Sequence, residues 1–157
     1  MPPATQALPE TKVVVDRETN TISLKRTFAA SREAVFDAWT QPERLSCWWD
    51  PAGARLTECE IDLRPGGAFK FVSAGHADMP FAGIYREIVP PQRLVFEAMG
   101  STGKVVLENL AGKTHMTVTI TCGSAAHLDQ FLKMGVDVGT AQTLDNLVEY
   151  VETMRQA

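Results

Sequence analysis

The chain has 157 residues, a length typical of one domain that buries a sizeable core. It is 45% hydrophobic and carries a formal net charge of −4, which disfavours a nucleic-acid partner because such proteins usually present a basic face. No apolar run approaches the roughly 20 residues that a membrane-spanning helix needs, and three cysteines without a CxxC pattern favour a reducing cytoplasm over a disulfide framework.

The first residues have neither the charged nor the apolar segment of a signal peptide. We expect residues 1–11 to form a disordered lead and residues 12–157 to form a single domain. Runs of β-forming residues at 12–16 and 21–28 predict a hairpin, or an extended segment before the first long strand. Arg26 lies in the apolar phase of the second run.

Two short helices are predicted after this strand. Ser31 is a good N-cap, and Glu33 in the first turn meets the positive end of the helix dipole. Pro42 is suited to the first turn of the second helix. That helix should end near Trp48 and Trp49, and we expect one of the two indoles to be buried and the other to lie near the mouth of a cavity.

The middle of the chain alternates β-forming runs with short connections rich in glycine and proline, which predicts an antiparallel meander. A long helix should then run from Ser124 to about Met154, with a kink near Gly135 and Gly139. The predicted strands of the meander are residues 55–63, 68–73, 81–89, 93–99, 105–110 and 115–122.

This order of elements predicts an α+β fold in which a curved antiparallel sheet wraps around the long C-terminal helix. The two short helices after the first strand would close one end. A bent sheet diverges from a straight helix, and the gap between them is a natural place for a ligand cavity.

Several motifs between Thr21 and Met154 fit one family. They are residues 26–31, 35–39, 42–45, 48–51, 62–67, 83, 90–95, 112–114, 134–139 and 144–147. With them the chain resembles the heat-shock-protein ATPase activator-like (AHSA-type) branch of the START-like, or SRPBCC, superfamily, which includes Bet v-like and polyketide-cyclase-like proteins. The resemblance implies the helix-grip fold, a hydrophobic ligand or a chaperone partner, and a role in stress response. Relatives often have tryptophan where this chain has Thr140, which leaves the shape of the pocket there open.

Aromatic and methionine side chains are the main candidates for a ligand-binding wall, with core packing as the alternative. Methionine suits a wall that adapts to irregular ligands. The candidate ligand-binding residues are Trp49, Phe69, Phe71, Tyr85, Phe96, Met116, Phe131 and Met134.

Arg26 and Glu60 are the candidate polar groups of the pocket. In this fold Arg26 should neighbour the strand that carries Glu58, Glu60 and Asp62. A buried guanidinium needs a partner, so an ion pair of Arg26 with one of these carboxylates is one interpretation. The alternative for these carboxylates is a solvated strand face.

The three histidines show no metal-ligand spacing on one element, so we predict no metal site and no cofactor. His76 with Asp78 falls in a predicted loop, His115 on the outer face of a strand, and His127 at the start of the last helix. Nucleophile, phosphate-loop and dinucleotide motifs are missing from the sequence. We assign no catalytic residue, and the lack of an inward-facing acid–base pair favours binding over catalysis.

The sequence therefore predicts a small soluble binding or carrier protein that holds an apolar or aromatic small molecule between the sheet and the C-terminal helix. Two alternatives stay open. One is a protein-interaction domain of the chaperone-activator type, and the other is an aromatase- or cyclase-like enzyme that acts by positioning its substrate. The pattern leaves open the identity of the ligand and the choice between monomer and homodimer.

Overall fold

The computed structural model describes residues 11–50, 52, 54–74 and 80–156, and their side chains as far as residue 152. The elements along these residues are β1 (Lys12–Asp16), β2 (Thr21–Phe28), α1 (Arg32–Thr40), α2 (Pro42–Leu45), β3 (Glu58–Ile61), β4 (Ala68–Val72), β5 (Phe81–Val89), β6 (Arg93–Ala98), β7 (Ser101–Leu110), β8 (Lys113–Thr121), α3 (Ala125–Lys133) and α4 (Val136–Gln156).

The strands form a single antiparallel sheet in the order β1-β2-β8-β7-β6-β5-β4-β3. Alternate residues of β2 point inward and are fully buried, among them Ile22, Leu24 and Phe28. The helices cover this inner face, and the buried apolar residues of sheet and helices form one core. The predicted α+β architecture is confirmed.

β7 starts earlier than predicted, because the turn before it is very short. Met99 and Gly100 have φ angles of 55° and 77°. Two successive residues in the left-handed region make the tight hairpin turn whose twist matches that of the flanking strands. Ser101 can therefore pair with Ala98. β3, by contrast, is shorter than the predicted run at 55–63.

The predicted single C-terminal helix is in fact two helices. Ser124 Oγ accepts a hydrogen bond of 3.1 Å from the backbone N–H of His127, which caps α3 as expected. Gly135 has a φ of 75°, a left-handed conformation that commonly ends helices. The expected kink is therefore a complete break at Gly135, whereas Gly139 lies inside α4.

Among the described helices, none is long and apolar enough to cross a membrane.

Two hydrogen bonds hold α4 against the segment that follows α2. Thr143 Oγ1 donates to the backbone oxygen of Trp49 at 3.0 Å, and Asn146 Nδ2 donates to that of Asp50 at 3.0 Å. The two donors are three residues apart and lie on the same face of α4. They set the position of the helix over the sheet.

Candidate functional site

A cavity of about 250 Å³ lies between the inner face of the sheet and helices α3 and α4. This volume is near the lower end of the roughly 300–1,000 Å³ that small-molecule sites occupy. Its size suits a compact molecule of one or two rings.

The helical wall of the cavity is one face of α4. The residues Val136, Gly139, Thr140, Thr143 and Leu144 line it, and their spacing is that of one helix face. A Cβ atom placed on Gly139 would meet no atom within 4 Å. Small side chains on this face therefore leave the space that larger ones would fill.

The sheet contributes the opposite wall through β6, β7 and β8. Val118 and Ile120 point inward from β8, and Phe96 and Gly103 face each other across β6 and β7. A Cβ atom on Gly103 would lie 2.5 Å from Cε2 of Phe96. The missing side chain at Gly103 lets the Phe96 ring lie flat against β7, where it forms part of the floor of the cavity.

One end of the cavity is closed by an aromatic cluster. Trp49 and Phe81 lie on the wall, with their ring centroids 5.1 Å apart. Behind them Phe69 stacks on Phe71 at 5.1 Å and contacts Tyr85 at 5.0 Å. These rings enclose a gap of about 10 Å³, so Phe69, Phe71 and Tyr85 support the wall from behind. Burial raises the pKa of the Tyr85 phenol.

The polar side-chain groups of the described wall are three hydroxyls and the indole N–H groups of Trp39 and Trp49. Ser101 Oγ donates to the backbone oxygen of Ala98 at 2.8 Å, and Thr143 Oγ1 donates to that of Trp49 at 3.0 Å. The Thr140 hydroxyl makes no hydrogen bond to any described residue. None of the described residues that line the cavity has a titratable side chain.

Trp39 lies at the junction of the cavity and the core. Its ring packs edge-on against Trp48, with centroids 5.0 Å apart, and against Trp49, with centroids 6.4 Å apart. Trp48 is fully buried and its Nε1 donates to the backbone oxygen of Ala38 at 3.0 Å. Trp39 Nε1 is enclosed and has no partner among the described residues. Trp48 is thus the buried indole of the Trp48–Trp49 pair, and the half-buried Trp49 lines the cavity.

The cavity brings together Trp49, Phe96 and Phe131 from the set of candidate ligand-binding residues. Met116 is fully buried in the core on β8 and is not part of the wall. Met134 caps the end of α3 and is 51% exposed.

Arg26 has a different partner from the one expected. Its Nη1 forms an ion pair with Asp145 Oδ1 of α4, and Thr11 Oγ1 donates to the same oxygen at 2.8 Å. The expected neighbour, β3, lies at the far edge of the sheet from β2. Glu60 is exposed on β3, where a hydrogen bond with Glu58 raises its pKa. Neither Arg26 nor Glu60 lines the cavity.

Sequence reasoning placed Thr140 beside the pocket, but it missed the other lining residues of α4 and the contribution of β8. The signal for β8 was available, because Val118 and Ile120 alternate with outward-facing threonines in phase with Met116. The signal on α4 was the spacing of Gly139, Thr140 and Leu144, which places all three on the same side of a helix.

In the part of the chain that the structure describes, no three potential metal ligands lie together. His115 Nδ1 lies 3.2 Å from Thr27 Oγ1, and His127 Nδ1 accepts a hydrogen bond of 3.1 Å from Gly123 N–H. His76 lies outside the described residues. The cysteines are free thiols, and burial raises the pKa of Cys122.

An antiparallel sheet closed by a C-terminal helix, with a cavity between them, is the helix-grip architecture of START-like proteins. The sequence model of the family described as activator of Hsp90 ATPase homolog 1-like protein matches residues 29–152, and the chain belongs to this family. A comparison with curated proteins gives no match.

Solved structures show the same fold. Protein Ms6760 from Mycobacterium smegmatis is 24% identical, with a TM-score of 0.78 over 93% of this chain and 99% of that one. A protein from Rhodobacter sphaeroides is 19% identical, with a TM-score of 0.81 over 92% and 99%. The AHSA1-like protein from Aeromonas hydrophila is 24% identical, with a TM-score of 0.73 over 87% and 95%. At these identities the similarity shows the fold alone.

Proposed function

We propose that this protein binds a compact apolar or aromatic small molecule between its sheet and its C-terminal helices, as a binding or carrier protein of the cytoplasm. The cavity of about 250 Å³ with apolar walls is the observation that carries the proposal. Protein interiors are normally packed to the density of organic crystals, so a space of this size calls for an occupant.

The chemistry of the wall supports an apolar ligand. Aromatic rings from Trp39, Trp49, Phe81 and Phe96 face the cavity, and burying apolar surface contributes about 25 cal/mol for each Å² removed from water. Binding is favoured over catalysis because the described residues of the wall include no acid or base to move a proton.

The test is the thermal shift caused by the neutral two-ring fluorescent dye 1-aminonaphthalene. A ligand that binds only the folded state, at 100 times its Kd, stabilises that state by about 2.7 kcal/mol. For a chain of this length the melting temperature should rise by about 5–10 °C. Thr140→Trp places an indole in the cavity and should abolish the shift and the gain in dye fluorescence.

Val138→Trp is the matched control. Val138 lies on the same helix and is 70% exposed, so its indole should project into solvent and leave dye binding unchanged. If both variants bind the dye as the wild type does, the cavity is not the binding site. If the wild type shows no shift with the dye, the proposal fails.

Activation of a chaperone ATPase is the second candidate, favoured by the description of the matching family. This role would connect the protein to the stress response. Adding the purified chain at saturating concentration to an Hsp90-type chaperone should then raise the rate of ATP hydrolysis. An unchanged rate, with no complex in analytical ultracentrifugation, would remove this candidate.

A further inference from the structure

We propose that Thr140 determines ligand specificity by donating a hydrogen bond to a single acceptor oxygen of the ligand. The ligand class is then a compact aromatic ring system that carries one carbonyl group. This inference rests on the proposed function, because it concerns the same cavity.

The hydroxyl groups of the wall differ in whether their protons are already used. A hydroxyl has one proton to donate and two lone pairs to accept with. Ser101 uses its proton on the backbone oxygen of Ala98, and Thr143 uses its proton on that of Trp49. Both side chains can still accept a hydrogen bond from a ligand, but neither can donate one without breaking an existing bond.

The indole N–H of Trp39 is also unpaired among the described residues. The Nε1 atom is enclosed, although the ring lines the cavity. A ligand oxygen cannot reach a nitrogen that water cannot reach unless the ring moves. The indole N–H of Trp49, another residue of the wall, also has no acceptor among the described residues. Thr140 is the one hydroxyl group on the described wall whose proton has no acceptor.

Thr140 lies on the helical wall of the cavity, opposite the aromatic and aliphatic groups of the sheet. The neighbouring wall residue Gly139 leaves open space, since a Cβ atom there would meet no atom within 4 Å. A ligand carbonyl that enters this cavity loses its bonds to water, and an unpaired buried acceptor is costly. Only a partner such as the Thr140 hydroxyl offsets that loss.

The test compares 1-indanone with indane, two bicycles that differ by one carbonyl oxygen. Titration calorimetry is run on the wild type, on Thr140→Val, which has a similar shape and no hydroxyl, and on Thr140→Ser, which keeps the hydroxyl. Thermal unfolding without ligand checks that each variant folds.

We expect Thr140→Val to weaken the binding of 1-indanone by about tenfold, the effect of one neutral hydrogen bond. The affinity for indane should change by less than about twofold, because no hydrogen bond is lost. Thr140→Ser should bind 1-indanone nearly as the wild type does.

The outcomes separate this inference from the proposed function. If the wild type binds both ligands and Thr140→Val weakens both equally or neither, the cavity is a binding site and the role of Thr140 is refuted. If the wild type binds neither ligand, nor the fluorescent dye, the proposed function fails and the assignment of Thr140 fails with it.

Discussion

The ion pair between Arg26 and Asp145 predicts an unequal cost for the loss of its two members. The Arg26 side chain is 6% exposed, whereas that of Asp145 is 36% exposed. Asp145→Asn leaves a guanidinium in the core without a counter-charge. Arg26→Met leaves the Asp145 carboxylate, which still reaches water. The methionine side chain keeps the apolar contacts that the aliphatic part of Arg26 made.

The magnitudes follow from this difference in exposure. Removing one partner of a fully buried pair costs about 3–5 kcal/mol, and the partial exposure of Asp145 places Asp145→Asn at the lower end, near 3 kcal/mol. Arg26→Met should cost about 1 kcal/mol or less, since a typical net hydrogen-bond contribution is of that size. The double variant should resemble Arg26→Met, which gives a coupling of about 3 kcal/mol in a double-mutant cycle.

Urea unfolding followed by circular dichroism measures these free energies, with the slope m checked for constancy. Arg17 and Asp129 form the matched surface pair, with side chains 64% and 55% exposed. Asp129→Asn should change stability by less than about 0.5 kcal/mol. Equal losses for Asp145→Asn and Arg26→Met, or a loss for Asp145→Asn no larger than that for Asp129→Asn, would refute the reasoning.

Three further predictions concern the tryptophans, the glycines and a thiol. Trp48→Phe breaks a hydrogen bond of 3.0 Å and Trp39→Phe removes an unpaired N–H, so Trp48→Phe should be less stable than Trp39→Phe by about 1 kcal/mol in urea; the reverse order would contradict this. Gly103→Ala, whose Cβ would lie 2.5 Å from an aromatic carbon, should cost about 1–3 kcal/mol, whereas Gly139→Ala should stabilise α4 by about 0.5–1 kcal/mol; equal urea midpoints would be the contrary result. Burial raises the pKa of the Cys122 thiol, so the folded chain retains a proton that the unfolded chain loses. Stability should be level below the ordinary thiol pKa of about 8.5 and fall at higher pH, and Cys122→Ala should flatten that fall; an unchanged slope would show that Cys122 is not the cause.

The local elements could be predicted because their signals lie within a few residues. The Ser31 and Ser124 caps and the alternation in β2 depend on backbone geometry and neighbouring side chains alone. Gly135 indicated a kink in the last helix, but not that the helix breaks there completely. The early start of β7 was missed because a two-residue turn with Met99 in a left-handed conformation is unusual for that residue type.

The partner of Arg26 could not be predicted from its strand alone. Its place in the apolar phase indicated a buried guanidinium that needs a carboxylate, and this requirement is met by Asp145. Which carboxylate meets it depends on the strand order and on the path of α4, and both arise from contacts between residues far apart in the chain.

The sequence by itself determined the helix-grip fold and the family, because hydrophobic periodicity, caps and turns act locally and the motifs extend over most of the chain. Only the tertiary structure decided where the free space lies. The sequence pattern predicts Phe69, Phe71 and Tyr85 on the ligand wall, yet these rings pack against one another and leave a gap of about 10 Å³. The cavity of about 250 Å³ opens instead beside Gly139 and Thr140. A cavity is the volume that side chains from separate elements leave unfilled between them, and no single segment of sequence contains that information.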